Sequence, residues 1–245
     1  MNESESSVQA ALRIPGSWSN PGELIERMPP EDHLTPEALI LPDKTEIVCR
    51  PVPPDNQFAE IFKSSCRRPA TREEVAIVDS YTVINALTGP GGSMPAALKI
   101  MQAGAGIVQA GGAGVFIDNC ALAHGGRDWL EMADDGGPDA LSFAFAAIVR
   151  GKRDVYTMGM HVLGLPDVQM QHADLDPEGS EILDVIRYLS HSEKPVGDGH
   201  VLADEHLPRF RAVATDSHGM EPGSPMHNPF GRLKLVSMTD IAEGN

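Results

Sequence analysis

Residues 80–117 of this chain have the sequence SYTVINALTGPGGSMPAALKIMQAGAGIVQAGGAGVFI, in which Lys99 is the single charged residue. A run this apolar must be buried, either in the core of a globular protein or in a membrane. It contains eight glycines and two glutamines, and glycine-rich turns interrupt it at 89–92 and 111–112, which makes membrane insertion unfavourable. We therefore expect it to form the core of a globular protein.

The two glycine-rich turns divide this region into two predicted helices and a strand. Thr71 and Glu74 have the spacing of a capping box, and apolar residues recur at helical intervals, so the first helix is predicted over 71–87. Ser93 is the predicted N-cap of the second helix, which ends at the second turn. A buried strand follows at 114–117. We expect the two helices to pack against each other.

The residues before this core are rich in proline. Seven prolines fall between residues 28 and 54, and proline breaks helices and restricts strands to short or edge pieces. The elements predicted in this part of the chain are a strand at 8–14, a short helix at 21–28 and a strand at 45–50.

The residues after the core alternate between predicted strands and helices. In chain order they are a helix at 127–134, strands at 141–149, 154–162 and 167–171, a helix that opens at Asp176, and strands near 199–203, 208–214 and 232–238. A basic turn at 150–153 joins two of these strands and predicts a hairpin. This order favours an α+β fold, a mainly antiparallel mixed sheet packed against several helices, over a doubly wound parallel sheet.

The same pattern suggests a division of the chain into domains. We expect residues 1–70 to be a proline-rich N-terminal portion, with a short strand and helix, packed on the main fold. Residues 71–245 are the expected α+β domain. The glycine and proline residues at 136–138 mark a weaker boundary near 137–150.

The chain is strongly acidic. It has 35 acidic and 19 basic residues among 245, a formal net charge of -16, and residues 118–245 carry -11 of that charge. Such a surplus repels nucleic-acid phosphates and anionic lipid surfaces, so we expect no nucleic-acid partner and no membrane partner. A basic protein partner is expected instead, with binding that weakens as salt rises. The oligomeric state stays open.

The number and spacing of the cysteines indicate the cellular compartment in which the chain is expected. There are three of them, an odd number without paired spacing, which predicts reduced thiols rather than a disulfide framework. The acidic start of the chain lacks the basic and apolar regions of a secretory signal. We expect a cytoplasmic protein.

Four short motifs occur in a fixed order in the second half of the chain. They are YTMGM at 156–160, LGLPD at 163–167, a helix that carries Tyr188, and Gly197-Asp198-Gly199. In this order they resemble the bacterial family catalogued as domain of unknown function 4261, and the resemblance covers roughly residues 72–205. The chain departs from the family where His200 follows the last motif, since a hydroxyl-bearing residue is often found there. The resemblance implies an α+β fold and carries no established activity.

An anion-binding site is predicted within HGGRDW, residues 124–129. The N-terminus of a helix presents free backbone N–H groups and a partial positive charge, and adjacent glycines let a ligand approach the backbone. Gly125, Gly126 and Arg127 are therefore the candidate ligand-binding residues. The alternative is structural, because acidic residues in a first helical turn are common and complement the helix dipole.

The catalytic candidates are His124, Arg127 and Asp128. His124 also follows Cys120 by four residues, so its imidazole could activate that thiol as a nucleophile. The alternative is that Cys120 is a small buried thiol at the end of a core strand and that His124 bonds to its loop.

A metal site is the remaining possibility for chemistry. The candidates are His161, Asp198 and His200, alone or with His124, because two histidines and one carboxylate are a common ligand set. No spacing fixes two histidines on one helix face, so solvated surface histidines are the alternative. The glycine runs lack the pattern of a dinucleotide or phosphate loop, and no cofactor is predicted.

Two functional hypotheses follow, and whether the chain is an enzyme stays open. The first is a binding or interaction module without catalysis, because no complete catalytic motif is present. The second is a small hydrolase or metal-dependent enzyme with a His/Asp site built from the six catalytic and metal candidates. The hypotheses differ in whether those six side chains meet in one pocket or lie apart.

Overall fold

The computed structural model describes residues 8–175, 180–203, 208–216 and 220–238. Within them the chain has the predicted α+β fold. The helices are α1 (Pro21–Arg27), α2 (Phe58–Ser65), α3 (Arg72–Ser80), α4 (Met94–Gln109), α5 (Gly126–Asp135), α6 (Pro138–Phe145) and α7 (Glu181–His191). The strands are β1 (Gln9–Gly16), β2 (His33–Leu34), β3 (Ala38–Ile40), β4 (Glu46–Val52), β5 (Val83–Pro90), β6 (Gly114–Ile117), β7 (Leu122–Gly125), β8 (Ala147–Arg150), β9 (Asp154–Met158), β10 (Asp167–Gln171), β11 (Val201–Ala203), β12 (Pro208–Thr215) and β13 (Arg232–Ser237).

Seven strands form the first sheet, sheet A. Their order is β2-β3-β4-β5-β1-β6-β7, and every neighbouring pair is antiparallel. The longest pairing joins β1 to β5, from Gln9 opposite Pro90 to Gly16 opposite Val83. Strands from before and after residue 70 thus lie side by side in one sheet.

Helices cover both faces of sheet A. Leu12 and Leu87 point to the face on which α4 packs. Ile84 points to the opposite face, where it meets Phe62 of α2 and Val78 of α3. Because α3 and α4 lie on opposite faces, the expectation that the first two predicted helices pack against each other is wrong.

Helix α4 begins as its sequence predicts and packs unusually closely. The side chain of Ser93 accepts a hydrogen bond from the backbone N–H of Ala96 at 3.3 Å. A Cβ atom at Gly104 would lie 3.0 Å from Nε1 of Trp129 and 3.2 Å from a methyl group of Leu12. The glycine runs therefore serve the contact between α4, α5 and sheet A, which is the packing role that their sequence context favours over a nucleotide loop.

Six strands form the second sheet, sheet B. Their order is β11-β12-β13-β10-β9-β8, and neighbours are antiparallel except for the parallel pair of β10 and β13. Phe210 of β12 and Leu233 of β13 belong to the same buried cluster as α4, so the two sheets share one apolar core. In the described part of the chain, no helix combines the length and apolarity needed to cross a membrane.

The first predicted helix is too long. Its capping box is present, since Thr71 and Glu74 exchange both hydrogen bonds. Yet α3 ends at Ser80, and residues 83–90 are strand β5 rather than helix. Pairing with β1 on one side and β4 on the other overrides the helical spacing of the apolar residues.

The predicted strand at 141–149 is also partly wrong. Its first half belongs to α6, and β8 begins only at Ala147. The guanidinium group of Arg67 holds the end of this helix, because it donates to the backbone carbonyls of Phe143, at 2.6 Å, and Ala146. The predicted hairpin is confirmed between β8 and β9. Helix α2 and the strands β2, β3 and β7 have no counterpart among the predicted elements.

Candidate functional site

The N-terminus of α5 already holds a carboxylate of the chain itself. Oε1 of Glu74 accepts a hydrogen bond from the backbone N–H of Arg127 at 2.9 Å. The N–H of Gly126 donates to the carbonyl of Ala113, also at 2.9 Å. A Cβ atom at Gly125 would lie 2.5 Å from Oε2 of Glu74, so any larger residue would displace that carboxylate. At the predicted anion site, the anion is supplied by α3.

The two charged side chains in the first turn of α5 differ in exposure. Asp128 is 12% exposed, and its oxygens are 3.9 Å from guanidinium nitrogens of Arg68 and Arg127. The Arg127 side chain is 71% exposed, so its ion pair is screened by water and adds little stability. Asp128 complements the positive end of the helix dipole, as the structural alternative expects.

His124 is buried in β7. Its Nε2 lies 3.0 Å from the carbonyl oxygen of Ala144. A carbonyl only accepts, so Nε2 carries the proton and Nδ1 is the unprotonated nitrogen, which has no hydrogen-bond partner. Burial lowers the pKa of His124 to about 4. The imidazole is therefore neutral near pH 7.

The thiols are equally constrained. All three cysteines are free. Burial raises the pKa of Cys120 to about 12, and it raises that of Cys49 and Cys66 to about 11. Since the thiolate is the nucleophile, burial makes Cys120 unreactive, and the neutral His124 has no charge to offer it.

His161 lies in a short 3-10 helix (Met160–Leu163) after β9, which we call the His161 turn, rather than in the strand where it is predicted. Its Nε2 is 3.0 Å from the carbonyl oxygen of Pro225 and 3.1 Å from Nδ2 of Asn119. Asn119 is fully buried, and it binds the backbone of Ala11 and Gln9 as well as that of Pro225. Burial lowers the pKa of His161 to about 4. These bonds tie the loop at 220–231 to sheet A.

The other two metal candidates have different partners. Asp198 accepts a hydrogen bond from the backbone N–H of Ala214 at 3.0 Å. Nε2 of His200 lies 3.5 Å from the hydroxyl of Tyr188. Among the described residues, no group of three or more His, Cys, Asp or Glu side chains is placed to hold a metal ion. The six candidates thus lie in three parts of the fold: the start of α5, the His161 turn, and the region between α7 and β12.

A second buried network, which the sequence analysis missed, also fixes the 220–231 loop. Nδ2 of Asn228 donates to Oδ2 of Asp167 at 2.9 Å and to the carbonyl of Leu165 at 3.0 Å. Thr157 donates to Oδ1 of the same carboxylate at 3.1 Å. Burial raises the pKa of Asp167 to about 6, although these hydrogen bonds act to lower it. The network is structural, because each of its groups is bonded within the protein.

A cavity of about 600 Å³ lies beside Trp18, and we call it the Trp18 cavity. It lies between α1, the segment at 34–36, and the strands β4 and β5. Its lining is mostly apolar and contains Trp18, Ser19, Asn20, Pro21, Leu24, Ile25, Leu34, Thr35, Pro36, Cys49, Pro51, Thr82, Val83 and Asn85. Its volume and composition are those of a site for a small organic molecule.

Asn85 is the exception in this lining. It lies in the middle of β5, opposite Ile14 of β1 and Pro51 of β4, and is only 4% exposed. Its Nδ2 has no hydrogen-bond partner in the protein. A buried amide without a partner is rare and lowers the stability of the folded protein.

The signal for this site was present in the sequence. Strand residues alternate between the two faces of a sheet, so Val83, Asn85 and Leu87 share a face. An asparagine between two apolar residues on a buried face is conspicuous. The sequence analysis missed this alternation because it predicts a helix over 71–87, and residues 83, 85 and 87 do not share one face of a helix.

No family model, no curated protein and no solved structure matches this chain. A functional assignment must therefore rest on the chemistry of the site.

Proposed function

We propose that this chain is a binding module without catalysis and that it takes up a small apolar molecule in the Trp18 cavity. The observation that carries the proposal is the Trp18 cavity itself, which has a volume of about 600 Å³ and a mostly apolar lining without a charged residue. Pockets that bind small molecules are mostly apolar and carry a few polar groups that orient the ligand. The Trp18 cavity has this composition.

The placement of the six candidate residues supports a role without catalysis. The alternative, a small hydrolase or a metal-dependent enzyme with a His/Asp site, needs several of them in one pocket. His124 and His161 are instead neutral, buried, and hydrogen-bonded to backbone carbonyls in different places. A general base needs a pKa nearer the working pH and access to substrate.

The test is a titration with N-phenyl-1-naphthylamine, a neutral fluorophore that brightens in apolar sites. We expect saturable binding of one probe per chain. Ile25 lines the cavity and is 51% exposed on α1, so Ile25→Glu should weaken binding roughly fivefold with little effect on folding. The matched control is Ile61→Glu, because Ile61 is 43% exposed on α2 and lies outside the cavity.

Two results would contradict the proposal. One is a fluorescence signal that never saturates. The other is an equal loss of affinity in Ile25→Glu and Ile61→Glu, which would place the probe on the general surface rather than in the Trp18 cavity.

We further propose a basic protein partner and a cytoplasmic location, in a member of the family that the sequence resembles. The net charge of -16 supports such a partner, and three free thiols are typical of a reducing compartment. Binding of a lysine-rich peptide should weaken steeply between low and physiological salt. An affinity that does not change with salt would argue against a basic partner.

A further inference from the structure

We propose that two copies of this chain associate through the open part of sheet A around Val48, face against face and related by a two-fold axis. The proposal goes beyond ligand binding in the Trp18 cavity, because that cavity lies on the other face of the sheet. Its basis is the composition of the open face, the position of the charges on it, and the fact that these charges are unpaired.

Strand β4 is buried on one face and open on the other. Ile47 and Cys49 are buried on the face of α4. Glu46, Val48 and Arg50 alternate with them, point away from α4 and are exposed, and Val48 is 42% exposed. We call the residues of this open surface on three neighbouring strands the Val48 face: Ala38, Ile40, Glu46, Val48, Arg50 and Ala86.

The centre of the Val48 face is apolar and low. Ala38 of β3 lies opposite Val48, and Ala86 of β5 lies opposite Arg50. Both alanines are partly exposed, as is Ile40 of β3 opposite Glu46. Side chains this small let a second sheet approach to the distance of about 10 Å that is usual for packed sheets. The surface therefore suits a flat partner better than an enclosed small molecule.

One charge of each sign flanks Val48 on its own strand. Glu46 and Arg50 each lie about 7 Å along β4 from Val48, and their Cα atoms are about 13 Å apart, too far for an ion pair. Among the residues that the structure describes, neither side chain has an ion-pair partner. Both charges are thus free to pair with another molecule.

This placement of charges is complementary to itself. A two-fold axis above Val48, parallel to the sheet and perpendicular to β4, turns the strand of the second copy end for end. Glu46 of each copy then faces Arg50 of the other, with the apolar residues between them. An axis parallel to β4 would instead bring like charges together, so the charges select one arrangement of the two copies.

The size of the face sets the strength of the association. The Val48 face covers only parts of three strands, which places it at the low end of protein interfaces. We expect a dimer with a Kd of about 1–100 µM. The net charge of -16 on each copy opposes association at long range, but salt at physiological strength screens charges more than about 8 Å apart.

The experiment is sedimentation equilibrium of the full chain, at concentrations from well below to well above the expected Kd. Glu46→Arg and Arg50→Glu should each weaken the dimer at least about tenfold, because each replaces two ion pairs by two contacts between like charges. The double variant, which exchanges the two charges, should restore the dimer. An equal mixture of the two single variants should associate more tightly than either variant alone, because unlike charges then meet at both ends.

The two single variants separate this contact from a general effect of charge. They change the net charge in opposite directions, so a general effect would strengthen one dimer and weaken the other. The controls are Glu193→Arg and Lys194→Glu, which make the same changes of net charge at exposed positions after α7. Each control should leave the Kd within about twofold of its original value.

Three results would overturn the proposal. They are a chain that stays monomeric at every concentration, a tighter dimer in Glu46→Arg, and a failure of both the double variant and the mixture to restore association. The mixture gives the same test if the double variant does not fold. None of these results bears on the Trp18 cavity, since Cys49 and Asn85 in its wall point to the opposite face of sheet A, and the titration with N-phenyl-1-naphthylamine tests that cavity separately.

Discussion

Replacement of Asn85 by leucine should stabilise the unliganded protein. Substitution of a buried polar residue usually destabilises, because its partners lose their hydrogen bonds, but Nδ2 of Asn85 has no partner to lose. A buried amide in this state costs about 1–3 kcal/mol of unfolding free energy. Leucine has the same branched shape as asparagine, with two methyl groups in place of the amide oxygen and nitrogen, and the adjoining cavity leaves room for their slightly larger volume.

The expected gain is therefore about 1–3 kcal/mol in unfolding free energy. In a chain of this length, each kcal/mol raises the melting temperature by about 2–4 °C, which scanning calorimetry resolves easily. The matched control is Asn119→Leu. Asn119 is also buried, but its amide binds the backbone of Ala11, Gln9 and Pro225.

Loss of Asn119 leaves several buried backbone groups without partners, so the control should lose at least about 2 kcal/mol. Opposite signs for the two variants are the result that we expect. A loss of stability in Asn85→Leu comparable to that in Asn119→Leu would mean that Asn85 is bonded in the unliganded protein. The conclusion that the amide of Asn85 has no partner in the folded protein would then be refuted.

Three further predictions test the surroundings of the site. Glu74→Ala should lower the melting temperature, and added sulfate should raise the melting temperature of this variant more than that of the unaltered protein, because the variant frees the N-terminus of α5. Glu73→Ala, which replaces an exposed neighbour, should change neither the melting temperature nor its response to sulfate. The pKa of His161 is about 4 in the folded chain and near 6.5 when unfolded, so its contribution to stability is complete above pH 6.5 and is lost as pH falls towards 4. In denaturant titrations, the unfolding free energy of His161→Gln should fall less between pH 6.5 and 4 than that of the unaltered protein, and an equal fall would contradict this prediction. Among the cysteines, iodoacetamide should modify Cys66 first, as mass spectrometry of digested protein would show, because the other two are buried; equal rates would mean that their burial is transient.

Local signals in the sequence predicted much of the fold. The capping box at Thr71 and the N-cap at Ser93 each mark a helix start, since a cap depends on residues within one turn. The predicted strands at 114–117 and 167–171 are also confirmed, as β6 and β10. Features of this kind need no knowledge of distant contacts.

Features set by distant contacts were not predictable from one sequence. Strand β5 is extended because β1 and β4 pair with it. The residues at 83–90 do not by themselves identify these two partner strands. Glu74 reaches the start of α5 from 53 residues away, so it could not be foreseen at the predicted anion site. The environment of Asn85 depends in turn on both β5 and the proline-rich segment at 34–36.

The most direct test of the proposed site is the NMR signal of the indole N–H of Trp18, which lines the Trp18 cavity, while N-phenyl-1-naphthylamine is titrated onto the protein. We expect this signal to shift as the probe saturates, whereas the indole N–H signal of Trp129, which is buried outside the cavity, should stay in place. A Trp18 signal that stays in place while the probe fluorescence saturates would contradict the account.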